Sequence, residues 1–210
     1  SFHVDAVQAL AKIPTEKYLT ERVDFATFSS HKFHGVRGVG FVYIKSGKKI
    51  TPLLTGGGQE RDYRSTTENV AGIAATAKAL RLSMEKLDIF RSKTGQMKSV
   101  IRQALLDYPD IFVFSDEEDF APHILTFGIK GVRGEVIVHA FEDYDIFIST
   151  TSACSSKAGK PAGTLIAMGV DKDKAQSAVR LSLDLENDMS QVEQFLTKLK
   201  LIYNQTRKVR

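Results

Sequence analysis

Short apolar runs alternate with stretches of helical periodicity from one end of this chain to the other. That alternation permits few architectures: it predicts an α/β fold in which helices cover a sheet. Strands are expected over 2–6, 24–29, 39–44, 111–114, 124–129, 145–149 and 178–183. A helix is expected to begin near Thr67, with Thr66 and Thr67 as hydroxyl N-caps and Glu68 in the first turn. Val70, Ile73, Ala74, Ala77, Leu80, Met84 and Leu87 then recur at helical spacing, which predicts one buried stripe. A second helix is expected over 90–106, ending before Tyr108-Pro109 because the residue preceding proline disfavours helical torsions. A third is expected over 134–141, and a last one presents Met189, Val192, Phe195, Leu196, Leu199 and Ile202 on one face.

The break between the first two helices divides the chain into an α/β piece over 1–87 and a smaller one over 88–210. Neither an internal repeat nor a low-complexity linker interrupts them. At 210 residues, 42% hydrophobic and 26% charged, the composition excludes disorder, membrane insertion and a fibrous protein. No apolar run approaches the roughly 18 residues of a membrane span. The net charge of +4 comes from scattered basic residues, the one cluster being Arg207, Lys208 and Arg210. It reads more simply as a solvated end than as a nucleic-acid site. A single cysteine, Cys154, cannot form an internal disulfide, so a reducing cytoplasm is the expected location. The start at Ser1, without an initiator Met and running directly into a strand-like His-Val-Asp-Ala, suggests the C-terminal part of a longer protein.

Three segments carry candidate chemistry. The strand 24–29 runs into Ser29-Ser30-His31-Lys32-Phe33-His34-Gly35, placing one lysine at a strand end. A lysine partly withdrawn from water can act as an amine nucleophile and form a Schiff base with an aldehyde. The alternative is an ordinary loop lysine. Gly56-Gly57-Gly58-Gln59-Glu60, followed by Arg64-Ser65-Thr66-Thr67-Glu68-Asn69, joins a flexible glycine turn to hydroxyls at a helix start. That arrangement suits a phosphate, although its spacing matches neither the P-loop nor the dinucleotide fingerprint. Ser152-Ala153-Cys154-Ser155-Ser156 places the cysteine in a loop of small residues near Lys157 and Lys160, where a thiolate is favoured. Two isolated charges accompany them. Arg180 interrupts the apolar run Val179-Arg180-Leu181-Ser182-Leu183 and needs an anionic partner. Asp5 sits at the end of the first strand in His3-Val4-Asp5-Ala6-Val7-Gln8.

In content and order these segments resemble the cysteine desulfurases, a branch of the fold-type I pyridoxal-phosphate (PLP) enzymes. The resemblance covers nearly the whole chain. It implies that residues 1–87 are the C-terminal part of a PLP-binding large domain and that 88–210 form a small domain carrying the cysteine loop. By the same resemblance Lys32 is the Schiff-base lysine that also moves the substrate's α-proton. Asp5 partners the pyridine nitrogen, Gln8 the phenolic oxygen, and Ser29 and His31 the phosphate. Thr67 contacts the phosphate from the other subunit of a homodimer, and Arg180 holds the substrate carboxylate. Cys154 takes the sulfur of L-cysteine as a persulfide, leaving L-alanine. No metal is implied. The implied acceptor is a scaffold for iron–sulfur assembly or a tRNA-thiolation enzyme.

The departures are few. Val36 stands where relatives usually have proline, and Thr150 and Thr151 stand where many have a glycine-containing turn. The family's N-terminal half, with its other phosphate loop and ring-stacking histidine, has no counterpart here. This chain is therefore expected to work with an N-terminal complement or to be inactive alone. Selenocysteine lyase, an aminotransferase of the same fold, and a non-catalytic module for dimerisation or acceptor docking are the other readings; a nucleophilic cysteine argues against the aminotransferase.

Overall fold

The computed structural model describes residues 1–115, 121–150 and 163–208. They form two compact units that divide between Asp88 and Ile89. In the first unit, β1 (His3–Asp5), β2 (Phe25–Ser29) and β3 (Gly40–Ile44) form a sheet in the order β1-β2-β3. β1 runs parallel to β2, with Asp5 opposite Thr27, whereas β3 is antiparallel to β2. Ala26 and Phe28 point from β2 into a core shared with Ala6, Val23 and Phe33. The alternation of buried and half-buried residues along β2 is the period-2 signature of a strand with one covered face.

One carboxylate ties the starts of β1 and β2 to the segment that follows β3. Asp24, just ahead of β2, accepts a hydrogen bond from the Phe2 backbone N–H at 2.9 Å and pairs with Lys48 Nζ at 3.1 Å. The backbone donor, aided by Lys48, holds its carboxyl below the ordinary carboxylate value. A lowered folded-state value means that the stabilisation is present above the ordinary carboxylate range and disappears as the pH falls through the folded value. Wild-type stability is therefore expected to fall more steeply on acidification than that of Asp24→Asn. Urea midpoints measured across the acid range check this; parallel curves would overturn it.

Helix α1 (Val70–Glu85) closes the unit. It starts three residues later than the hydroxyl pair suggests, because the Asn69 side chain accepts the Gly72 N–H at 3.0 Å and caps the helix. Of the expected apolar stripe, Leu80 packs against this unit's core, but the most buried positions are small or polar. Gly72 and Thr76 are buried, and Ala79 also packs against the core. Val70, Ile73 and Met84 are 70%, 47% and 38% exposed. Small residues win this face because the helix lies close to the chain beneath it. A methyl at Gly72 would come within 2.8 Å of Val39 Cγ2.

The second unit opens with α2 (Leu87–Leu106), which buries Phe90, Met97, Ile101 and Leu105 at helical spacing. It continues through β4 (Ile111–Val113), β5 (Ile124–Ile129), α3 (Gly134–Glu142), β6 (Ser149–Thr150), α4 (Gly163–Ala167), α5 (Lys172–Gln176), β7 (Ala178–Ser182) and α6 (Met189–Lys208). The sheet order is β4-β5-β7-β6, with every pairing antiparallel. Leu125, Phe127 and Ile129 of β5 and Val179 and Leu181 of β7 face a core completed by α2, α3 and α6. Phe141 stacks on Phe195 with ring centroids 4.9 Å apart, and Phe127 meets Phe195 edge-on at 6.2 Å. Val192, Phe195, Leu199 and Ile202 are all buried, as the spacing predicts.

The expected strand over 145–149 shrinks to Ser149–Thr150. Asp145 takes a left-handed φ of 57° in the turn that ends α3. Ile146 and Ile148 then face the core while Phe147 is 78% exposed, so the apolar alternation is real but is not part of the hydrogen-bonded ladder. No helix among the described residues is long and apolar enough to cross a membrane.

Candidate active site

The lysine segment is built on the end of β2. After Ser29 the chain tightens into a 3-10 turn, Ser30–Phe33, closed by His34 in the left-handed region at φ 65°. The His34 and Gly35 N–H groups both donate to the Ser30 carbonyl, the latter at 3.0 Å. Within the turn Phe33 is 1% exposed, His31 is exposed and Lys32 is half-buried. Adjacent residues therefore serve opposite ends: Phe33 anchors in the core, and Lys32 stands at the boundary with solvent. Gly35 is required by the same compactness, since a Cβ there would lie 2.0 Å from Ser30 Oγ.

Asp5 ends β1, the parallel neighbour of β2, so the carboxylate and the lysine turn leave the same end of the sheet. Ligands of open α/β sheets bind at the carboxyl ends of parallel strands. Asp5 is exposed; its Oδ1 accepts the Val7 N–H at 3.1 Å. Gln8 follows, exposed, in the turn whose Ala9 and Leu10 amides donate to the Ala6 carbonyl. Ser29 is half-buried at the last position of β2. This one sheet edge thus carries Asp5, Gln8, Ser29, His31 and Lys32. Thr67 is exposed in the coil just before Asn69 and is not the helix cap that its hydroxyl suggests.

Arg180 belongs to the second unit, in the middle of β7, opposite Thr126 of β5 and Ser149 of β6. Val179 and Leu181 turn into the core, so Arg180 lies on the other face of the sheet, half-buried. Its Nε is buried without a hydrogen-bond partner among the described residues. A buried guanidinium N–H in that state is a donor awaiting an acceptor. Cys154 lies outside the described residues.

The aminotransferase class-V family model matches residues 1–195. The chain belongs to the aminotransferase class-V family. Members of this family depend on PLP. This class-V chain is 48% identical over 209 residues to the "NifS/IcsS protein homolog" of Lactobacillus delbrueckii subsp. bulgaricus, covering 99% of itself and 54% of that protein. It is 36% identical over 196 residues to a cysteine desulfurase of Trichormus azollae, covering 93% of itself and 49% of that protein. Among solved structures, a NifS-like protein from Rickettsia africae superposes with a TM-score of 0.83 at 30% identity, over 97% of this chain and 54% of that one. The mixed α/β fold expected for a PLP-transferase is thus the fold of its structural relatives. The chain spans about half the length of the curated relatives it matches.

What the motifs did not single out is the support beneath the lysine. Ser30, the neighbour of His31 in the lysine motif, has a fully buried side chain that is hydrogen bonded to Thr76 of α1. The small-residue spacing Gly72, Thr76, Ala79, Ser83 was the available signal, and the apolar residues interleaved with it obscured it.

Proposed function

We propose that this chain is the C-terminal half of a PLP-dependent cysteine desulfurase, converting L-cysteine to L-alanine and carrying the released sulfur as a persulfide on Cys154. The observation that supports it most is the convergence of Asp5, Ser29, His31 and Lys32 on one edge of parallel strands. The donor set fits the cofactor. A carboxylate suits a pyridinium nitrogen, the Gln8 carboxamide a phenolic oxygen, a hydroxyl and an imidazole a phosphate, and a primary amine an aldehyde. Bound there, PLP would act as an electron sink for the substrate's α-carbon.

The chain's own residues then divide the work. Lys32 Nζ takes the proton from the substrate's α-carbon and returns it, a transfer that needs its half-buried position to keep the amine close to the reacting atom. Arg180 holds the substrate carboxylate with parallel N–H donors and so fixes the orientation of that α-carbon. The Cys154 thiolate attacks the substrate Sγ. The C–S bond breaks, a new S–S bond forms, and the balance is L-cysteine plus a thiol giving L-alanine plus a persulfide. Residues 1–87 would belong to the cofactor-binding large domain and 88–210 to the small domain. The homodimer with Thr67 reaching the partner's phosphate, the cytoplasmic location, and a sulfur acceptor serving iron–sulfur assembly or tRNA thiolation belong to the same reading.

The test combines this polypeptide with one supplying the remaining half of the relatives' length. PLP is added, the mixture is reduced with borohydride and the labelled peptide is mapped; alanine release from L-cysteine is followed in parallel. A pyridoxyl group on Lys32 together with alanine formation is the expected result, and PLP bound elsewhere would overturn the reading. Arg180→Lys keeps the charge but loses the planar pair of donors. It is expected to raise KM for L-cysteine roughly tenfold or more, the value of a charge-assisted hydrogen bond. An unchanged KM would remove Arg180 from the site.

A further inference from the structure

We propose that Thr76 and Ser83 are positioning residues for Lys32, holding its 3-10 turn to helix α1 through one hydroxyl on each side of the lysine. The proposal rests on the reading of Lys32 as the cofactor lysine. On the N-terminal side, Thr76 Oγ1 lies 2.9 Å from Ser30 Oγ and 2.7 Å from the Gly72 carbonyl. Thr76 and Ser30 are 6% and 0% exposed, so no water competes for this pair. On the C-terminal side, Ser83 Oγ donates to the Phe33 carbonyl at 3.0 Å. Lys32 stands between the two attachment points.

A 3-10 turn of four residues has poor internal hydrogen-bond geometry and little stiffness of its own. A lysine side chain adds four flexible methylenes. An amine that must meet one carbon atom repeatedly needs its root fixed from outside, because displacements near 1 Å cost about a hundredfold in rate. The close approach of α1 supplies that fixation. Gly72 lets the helix sit against Val39, whose carbonyl in turn accepts the Ser30 N–H at 3.0 Å. Gly35, two residues beyond Phe33, leaves the space that Ser30 Oγ needs to reach Thr76. Gly72, Thr76 and Ser83 recur at helical spacing on one side of α1, so a single rigid helix sets both points.

Thr76→Val keeps the shape of the side chain and removes only the hydroxyl, and Thr76→Ser restores it. The 210-residue chain and its variants, each with the complementary half present, are treated with PLP, reduced with borohydride, and scored for label on Lys32 relative to the surface lysines. Thr76→Val is expected to lower selective labelling of Lys32 about tenfold and Thr76→Ser to recover it, with Ser83→Ala giving a loss of the same sense. Hydrogen exchange in the variant without PLP is expected to be faster at the Gly35 amide and unchanged in β5. Wild-type labelling in Thr76→Val would overturn the positioning role, as would an equal loss in Thr76→Val and Thr76→Ser. Should Thr76→Val not fold, Ser83→Ala alone decides, and unchanged labelling there overturns the proposal. A wild-type chain labelled evenly over its surface lysines would instead overturn the assignment of Lys32 and the positioning role with it.

Discussion

Lys32→Ala is expected to abolish alanine release from L-cysteine while leaving the chain folded. The fall is at least about 10²–10⁴-fold, the contribution of one well-placed acid–base group, because no other amine stands in this turn to move the α-proton. The fold should survive. Phe33, not Lys32, is the core residue of the turn, and the Ser30 and Gly35 backbone bonds do not involve the lysine side chain. Circular dichroism should therefore match the wild type while alanine release by the assembled protein disappears and the borohydride label on residue 32 is lost. Residual turnover within tenfold of wild type would mean that another group moves the proton.

The second large effect separates the two halves of the proposed reaction. Cys154→Ser should remove protein-bound sulfur after incubation with labelled L-cysteine, because a serine hydroxyl is scarcely ionised at neutral pH and is a poor nucleophile toward sulfur. The pyridoxyl label on Lys32 should be retained in full. Together the variants form a cross: Lys32→Ala loses both readouts, and Cys154→Ser loses only the sulfur. A Cys154→Ser protein that still accumulates bound sulfur would place the acceptor thiol elsewhere, and as Cys154 is the only cysteine of these 210 residues, outside this chain.

The strand β5 and the buried face of α6 were legible in the sequence because one periodicity had one outcome there. The residues 124–129 alternate into a core on one side, and Val192, Phe195, Leu199 and Ile202 meet that core at helical spacing. Helix α1 was harder. Its apolar residues and its small residues both recur at helical spacing, and periodicity alone does not say which stripe is inside. Close packing at Gly72 decided in favour of the small one. Around 145–149 the apolar alternation was correct, but strand pairing needs a neighbour in register, and the left-handed turn at Asp145 delays that to Ser149. At the site, the order of short motifs brought forward Asp5, Ser29, His31 and Lys32, which share one sheet edge. Thr76 and Ser83 stayed hidden because a hydroxyl inside a helix looks the same in sequence whether it bonds its own backbone or another segment.

The two larger hydrophobic clusters among the described residues share no buried residue. Each cluster, with the sheet it supports, forms a block whose loosening is read by probes placed within it. Damage in one block need not register in the other. Acid that protonates Asp24 weakens its ties to Phe2 and Lys48 and so loosens the sheet bearing Lys32, whereas the stacked Phe141 and Phe195 that support the Arg180 sheet carry no titrating group of their own. A stability screen on this chain accordingly needs two reporters: amide exchange in β2 for the lysine block and in β5 for the arginine block.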